Sequence, residues 1–288
     1  MFKNEAENFY NYLRINGLSR SARKFRTLVY RFYRDNAREN LPWRNTDDPY
    51  HILVSEIMLQ QTQIERVMNK YPLFLSKFPD FRSLARARLR SLYKVWQGMG
   101  YNRRALALKN IARVVVTSPY EGNLPSDVDE LMAMPFIGQS TAGAVAAFAF
   151  HKPSIFIETN IRRVFIHFFF REQGRVADRH ILPLIEKTLD RKDPRNWYYA
   201  LMDYGAALRY LKDNPNLKST LYKKQSTFAG SKRQMRGKIL RLISEKQSIP
   251  LKDLQGQLNM SCDKIEKIID ELCDEGFIKK KGCYIRMG

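Results

Sequence analysis

Cysteine is scarce in this chain of 288 residues: there are three, Cys262, Cys273 and Cys283. They lie near the C-terminus, are odd in number and form no CxxC pair. That argues against a disulfide framework and against a four-cysteine metal or cluster site, so reduced thiols are expected. Long apolar runs are missing as well. No stretch of eighteen apolar residues could span a bilayer, and the N-terminus lacks the apolar core of a signal peptide. A soluble, cytosolic protein is expected. The four histidines are scattered without metal-ligand spacing. Acid is also in short supply, with 29 Asp plus Glu against 50 Lys plus Arg and a net charge of +21. Residues 1–40 carry +5, 41–205 carry +7, 206–230 carry +4 and 231–288 carry +5. A basic tail is an interaction arm, whereas an excess distributed in this way suits a long polyanion lying across several elements. Nucleic acid is the first partner it implies and an anionic membrane surface the second.

What is present describes a globular chain, 44% hydrophobic and 12% aromatic, long enough for two domains. Residues 1 to about 40 read as helical, with Phe25, Leu28, Val29 and Phe32 at helical spacing. Leu41-Pro42-Trp43-Arg44 breaks that pattern, and Asp47-Asp48-Pro49-Tyr50 starts another helix. Short turns at Phe78-Pro79-Asp80, Gly98-Met99-Gly100 and Glu121 to Pro125 separate further helical segments, without strong strand alternation. Residues 1–211 therefore read as an all-α domain. Residues 212–230 are polar and basic, a linker or a loop that tracks nucleic acid. Residues 231–288 resume order. Arg236 to Lys246 predicts one helix, Leu251 to Leu258 a second, and Ser261 to Cys273 a third, with Ser261 as N-cap and Ile265, Ile268, Ile269 and Leu272 as its buried stripe. Phe277 to Met287 predicts a hairpin bent at Lys281-Gly282. Such a unit is winged-helix-like, and either binds DNA or docks on protein.

Two carboxylates stand in unlike settings: Glu56 within Ser55-Glu56-Ile57-Met58-Leu59-Gln60-Gln61-Thr62, and Glu158 within Ile157-Glu158-Thr159-Asn160. Cleavage of a bond that builds positive charge needs one acid to protonate the leaving group and one anion to steady the cation. Between them, Met134-Pro135-Phe136-Ile137-Gly138-Gln139-Ser140-Thr141-Ala142 predicts a tight hairpin feeding a helix that starts near Ser140. Backbone N–H groups around Phe136, Ile137, Gly138, Ser140 and Thr141 would then face phosphate without reading any base. An ordinary helix-helix turn is the plain alternative.

From about residue 41 to 211 the chain resembles the helix-hairpin-helix (HhH-GPD) DNA glycosylases, and among them the MutY adenine glycosylases. The resemblance rests on Leu41 to Arg44, Pro49-Tyr50, Ser55 to Thr62, Gly98-Met99-Gly100-Tyr101, Pro135 with Gly138 to Ala142, and Leu201-Met202-Asp203-Tyr204-Gly205, in order and at matching intervals. It implies a base-excision repair enzyme that acts as a monomer on double-stranded DNA, in a cytoplasmic, nucleoid-associated setting, and extrudes one mispaired base. Glu56 would protonate that base, adenine first and thymine or uracil next. Gln60 and Gln61 would enter the duplex where it leaves, with Tyr101 beside them. Glu158 falls eighteen residues after Ser140, where the family has its essential aspartate, and Asn160 and Arg163 continue that motif. A carboxylate there stabilises an oxocarbenium-like sugar. Three departures accompany the match. Glu158 is one methylene longer than aspartate, Phe136 replaces the hairpin's first glycine, and Ser140 replaces the lysine of bifunctional members, which implies a monofunctional enzyme. The four cysteines of the family's iron–sulfur cluster are missing from residues 206–230, so no cofactor is expected. Lys218, Lys223 and Lys224 could then make the backbone contact that the cluster loop makes in relatives. The reading from another class is a non-catalytic DNA-binding protein on the same scaffold.

Overall fold

The structure, a computed structural model, describes residues 2–224, 227–246, 248–258 and 262–288. The chain divides into two compact units. One comprises Met1–Ile52, Ser126–Ala133 and Ile137–Lys224, the other Leu53–Pro125, Met134–Phe136 and Gln225–Gly288. Among the described residues no helix is long and apolar enough to cross a membrane.

The first unit begins with α1 (Phe2–Asn36), which is broken where Gly17 takes a φ of 69°. It continues through α7 (Val128–Met132), α8 (Gln139–Phe150), α9 (Thr159–Phe169), α10 (Asp178–Thr188) and α11 (Pro194–Leu208), together with the start of α2 (Pro49–Leu59). Its core is aromatic: Phe25 meets Phe168 edge-on at 5.3 Å and Trp197 at 5.8 Å, and Phe9 meets Phe168 at 5.5 Å. Trp197, Tyr198 and Tyr199 are all buried on α11, so they are core and not a stacking platform for bases. α8 is a run of small residues buried from Ala142 to Ala149. Gly143 is needed there, because a Cβ would lie 2.6 Å from that of Phe156.

Two of the sequence motifs meet in this unit for structural reasons. Asp203, buried on α11, accepts both guanidinium nitrogens of Arg44 at 2.7 and 2.8 Å, and the amide and Nε of Arg38 at 3.0 and 2.6 Å. Burial alone would raise its carboxyl; the two arginines outweigh that and hold it below the ordinary aspartate value.

The second unit holds α3 (Ile64–Lys77), α4 (Phe81–Arg86), α5 (Leu89–Trp96) and α6 (Arg103–Val115), with the rest of α2. Asp80 and Ser83 form a reciprocal capping box at the start of α4. Its far end is closed by the buried Lys109 of α6, which donates to the carbonyls of Ala85 at 2.7 Å and of Leu84 and Ala87.

The same unit contains α12 (Lys232–Lys246), β1 (Ser248–Pro250), α13 (Leu251–Leu258), α14 (Cys262–Asp274), β2 (Ile278–Lys281) and β3 (Tyr284–Met287). The strands form an antiparallel sheet of order β1-β3-β2, over a core of Ile239, Leu240, Ile243, Ile265, Ile269 and Phe277. This is the expected winged-helix arrangement, with the wing turning at Gly282, φ 58°. Helix α12 starts four residues earlier than its apolar spacing predicts. Strand β1 is not predicted, because three residues are too few for an alternation to register. The proposed N-cap Ser261 lies outside the described residues. The module is bonded to α5: Arg90 donates from Nε to the Ser244 carbonyl (2.6 Å) and from Nη2 to that of Glu245 (3.0 Å), closing the end of α12. The Tyr93 hydroxyl reaches the carbonyl of Gly237 at 3.1 Å.

Candidate active site and nucleic-acid interface

In the first unit, Glu158 is the N-cap of α9. Its Oε1 accepts from the backbone N–H of Asn160 at 2.7 Å and of Ile161 at 2.9 Å. Asp, Asn, Ser and Thr are the usual residues for this position, and the longer glutamate fulfils it by folding back on its own helix. The Asn160 side chain approaches Oε2 at 3.4 Å, while Asn160 Oδ1 accepts from Arg163 Nη1 at 2.7 Å. Arg163 also donates to the Gly205 carbonyl and to Asn214. Burial raises the Glu158 carboxyl above its ordinary value, against the opposing pull of the Asn160 and Ile161 amides and of Arg163 and Arg162. The turn is fitted tightly against α11: a Cβ on Gly205 would come within 2.2 Å of the Asn160 carbonyl oxygen. Here glycine is required by close approach, which gives the end of the Leu201 to Gly205 motif its purpose.

Ser140 stands near the start of α8, and its hydroxyl donates to the Ile157 carbonyl at 3.1 Å, one residue from Glu158. Gly138 is the N-cap of α8, and the first bond of the helix runs from the Ala142 N–H to the Gly138 carbonyl at 2.9 Å. Ile137 is buried, whereas Phe136 is 55% exposed with φ 65°. Phenylalanine thus adopts the left-handed conformation that a glycine takes without strain, at a cost of about 1–2 kcal/mol. We expect Phe136→Gly to raise stability by about 0.5–1 kcal/mol in urea unfolding. The same substitution should weaken duplex affinity severalfold in a binding titration, because an exposed ring is lost from the hairpin tip.

In the second unit, Glu56 lies half-buried on α2 between buried Ser55 and Ile57, one turn before Gln60. Gln60 and Gln61 are exposed in the turn that follows, with Gln61 at φ 54°. Tyr101 is half-buried at φ 45°, after Gly98 and Gly100 at φ 91° and 70°. Among the described residues five non-glycines have positive φ, and Gln61, Tyr101 and Phe136 are three of them. Strain of this kind concentrates where a loop must present a group in one set position.

Arg104, which sequence reasoning missed, ties the two loops together. Its Nη1 donates to the carbonyls of Ile57, Met58 and Gln60 at 3.0, 2.8 and 2.6 Å. Its Nη2 donates to Thr62 Oγ1 at 2.9 Å and to the carbonyls of Gly100 (3.1 Å) and Met99 (3.3 Å). One guanidinium therefore closes the end of α2 and fixes both loops. Burial pulls its pKa down to about 10, which still leaves it charged at neutral pH. No local pattern marks it, since a cation after Tyr101-Asn102-Arg103 reads as surface. Arg104→Met should cost about 3 kcal/mol in urea unfolding, because it strands several buried carbonyls at once.

The sequence pattern of the HhH-GPD superfamily of base excision DNA repair proteins matches residues 54–185, and that of winged helix-turn-helix DNA-binding modules matches residues 233–279. The adenine DNA glycosylase of Mycolicibacterium smegmatis is 32% identical over 230 residues, 73% of this chain and 78% of that protein. The chain belongs to the HhH-GPD superfamily, among its MutY-like members. The adenine DNA glycosylase of Buchnera aphidicola subsp. Baizongia pistaciae is 34% identical over 205 residues, 68% of this chain. The chain spans 57% of that relative's length. A thermostable thymine-DNA glycosylase of known structure superposes with a TM-score of 0.59 at 26% identity, over 68% of this chain and 91% of that one.

The four-thiolate cluster of this superfamily does not fit the residues that follow α11. Residues 206–230 contain no cysteine. Of the three in the chain, Cys273 is half-buried and Cys283 exposed, both in the C-terminal module. The segment is held instead by protein groups. Val176 and Ser219 form a bridge, with Val176 N–H donating to the Lys218 carbonyl at 2.8 Å and Thr220 N–H to that of Val176 at 3.0 Å. Asn216 donates to the Thr159 carbonyl at 3.1 Å, and Asn214 accepts from Arg163, so the loop braces the turn that carries Glu158. The expected phosphate contact from Lys218 needs correction. Its ammonium donates to the carbonyls of Phe170 (3.3 Å) and Arg171 (2.6 Å), where it closes the end of α9. Lys223 and Lys224 are exposed.

Proposed function

We propose that this chain is a monofunctional DNA glycosylase of base-excision repair that removes a mispaired base, adenine first, from duplex DNA. The observation that carries the reading is the Glu158 turn. In a superfamily member it retains a carboxylate held in one orientation by the Asn160 and Ile161 amides, with Arg163, Asn214 and Gly205 behind it. In the reaction, Glu56 gives its proton to a ring nitrogen of the extruded base. The electrons of the N-glycosidic bond leave with the base, the Glu158 carboxylate balances the charge that develops on the sugar, and water adds at the anomeric carbon as its proton passes to that carboxylate. Ser140 supplies a hydroxyl already bonded to the Ile157 carbonyl and no amine, so no Schiff base forms and the abasic strand stays intact. The loops at Gln60-Gln61 and Tyr101 hold the duplex open, a role supported by their strained backbone. The partner is double-stranded DNA bound by a monomer, and no cofactor takes part.

Removal of thymine or uracil opposite guanine is the second reading, favoured by the likeness to the thymine-DNA glycosylase. Incubation with duplexes carrying A·G, A·8-oxoguanine, T·G, U·G and hypoxanthine·T, followed by alkali, separates them. A nick after alkali and none before, on an adenine duplex, is the expected result. A nick without alkali would refute the monofunctional reading, and no nick on any duplex would refute the enzyme.

A further inference from the structure

The helices of the C-terminal module carry opposite charge. α12 has Lys232, Arg233, Arg236, Lys238, Arg241 and Lys246 against Glu245 alone. α14 has Asp263, Glu266, Asp270, Glu271 and Asp274 against Lys264 and Lys267. In a helix-turn-helix the second helix, here α14, ordinarily enters the major groove. An acidic α14 would instead be repelled by phosphate. Two of its five acids are also engaged within the module: Glu271 with Lys232 and Arg236, and Asp270 with Lys280 of the wing. The element suited to a polyanion is α12.

The first turns of α12 face a cleft of about 420 Å³ whose other wall is formed by the two strained loops, at Gln60, Gln61, Tyr101 and Asn102. Arg233 donates to the Tyr101 hydroxyl, and its guanidinium lies 5.1 Å from the centre of that ring. Lys232, Arg236, Arg103 and Arg104 complete a cationic lining in which Glu271 and Glu275 are the acids among the described residues, paired with Lys232, Arg236 and Arg103. The cleft thus offers an aromatic ring, three amide side chains with donors and acceptors for a base edge, and a net positive charge for a phosphate even with Arg104 committed to the loop carbonyls. Its volume lies in the range of about 300–1,000 Å³ usual for small-ligand sites. When one base is extruded, its former partner loses its pair and lies beside whatever enters the duplex.

We propose that this cleft is a second nucleotide site, which receives the unpaired nucleotide left opposite the extruded one. Arg233 is its principal ligand, and α12 in place of α14 is the DNA-contacting helix of the module. The inference rests on Gln60, Gln61 and Tyr101 being the insertion loops. Its test avoids base release altogether: the full chain is titrated into a duplex carrying a tetrahydrofuran abasic analogue with 2-aminopurine opposite. Binding should change the 2-aminopurine emission. Arg233→Ala should weaken affinity about tenfold, lower the slope of log affinity against log salt by about one, and abolish the emission change. Arg233→Lys should retain the charge and part of the affinity. Lys232→Gln should weaken binding, and Glu271→Gln should tighten it by releasing Lys232, while Arg236 stays paired with Glu275. A Lys264→Ala, Lys267→Ala double variant on α14 should bind as the unaltered chain does. Wild-type affinity, slope and emission in Arg233→Ala and Lys232→Gln would overturn the proposal, as would loss of binding in the α14 variant. A chain that shows the expected binding changes yet releases no base would sink the enzyme reading and leave the cleft standing.

Discussion

Glu56→Gln should release base at least about 10² to 10⁴ times more slowly than the unaltered chain, with duplex affinity preserved. Glutamine matches glutamate in length and hydrogen bonds similarly, so α2 and the turn held by Arg104 should stay in place; what it lacks is the proton. Base departure depends on that proton, because a nucleobase leaving as an anion from a sugar that is becoming a cation separates charge in a partly dry site. Single-turnover base release, measured beside equilibrium binding of the same duplex, separates the two effects. A chain that lost affinity and base release together would point to a damaged fold, and one that lost neither would remove Glu56 from the mechanism.

The second large effect is expected at Glu158. Glu158→Gln should lower base release about 10²- to 10³-fold, since a preorganised charge facing the developing cation is removed while the helix cap can still accept one amide. Glu158→Asp is the more informative change. Aspartate is a better N-cap and should keep both amide bonds, yet its carboxylate would sit about 1–1.5 Å back along the side chain, and misplacement of that size can cost about a hundredfold. That loss is expected because the surrounding turn, braced by Asn214, Asn216 and Gly205, is fitted to glutamate. A gain in rate would show that the site is still shaped for the shorter acid. The pH profile gives a further check. Burial raises the Glu158 carboxyl, and the working form is the anion. Base release should therefore fall as pH decreases, and should begin to fall above the range of an ordinary glutamate. In Glu158→Gln that acid limb should vanish from the residual rate.

Much of the candidate interface is legible in the chain because it is written in short contiguous segments. Ser55 to Thr62, Gly98 to Tyr101, the hairpin at 134–142 and the turn at 157–160 each form one local structure, so their residues and spacing identify them before any folding is considered. The helices of residues 1–211 and the winged-helix order of the tail were readable from apolar periodicity for the same reason. Phe136 was visible as a departure from the family. Its left-handed backbone was not, since a bulky side chain gives no sign that its neighbours will hold it at positive φ.

Other features depend on groups far apart in sequence. Arg104 reaches back more than forty residues to Ile57, Met58 and Gln60. Lys218, basic and apparently suited to phosphate, is drawn to the carbonyls that close α9. Arg233 meets Tyr101 across more than a hundred residues, and the contrast between α12 and α14 gains meaning only when the cleft places α12 beside the two strained loops. The sequence by itself determined the family, the helical architecture, the two acids and the cationic surplus, since each depends on residue type and local spacing. Tertiary structure alone decided which cations are drawn to the protein's own carbonyls and which line the cleft. An ammonium or guanidinium binds whichever oxygens folding brings within about 3 Å, and a linear chain does not say which those will be.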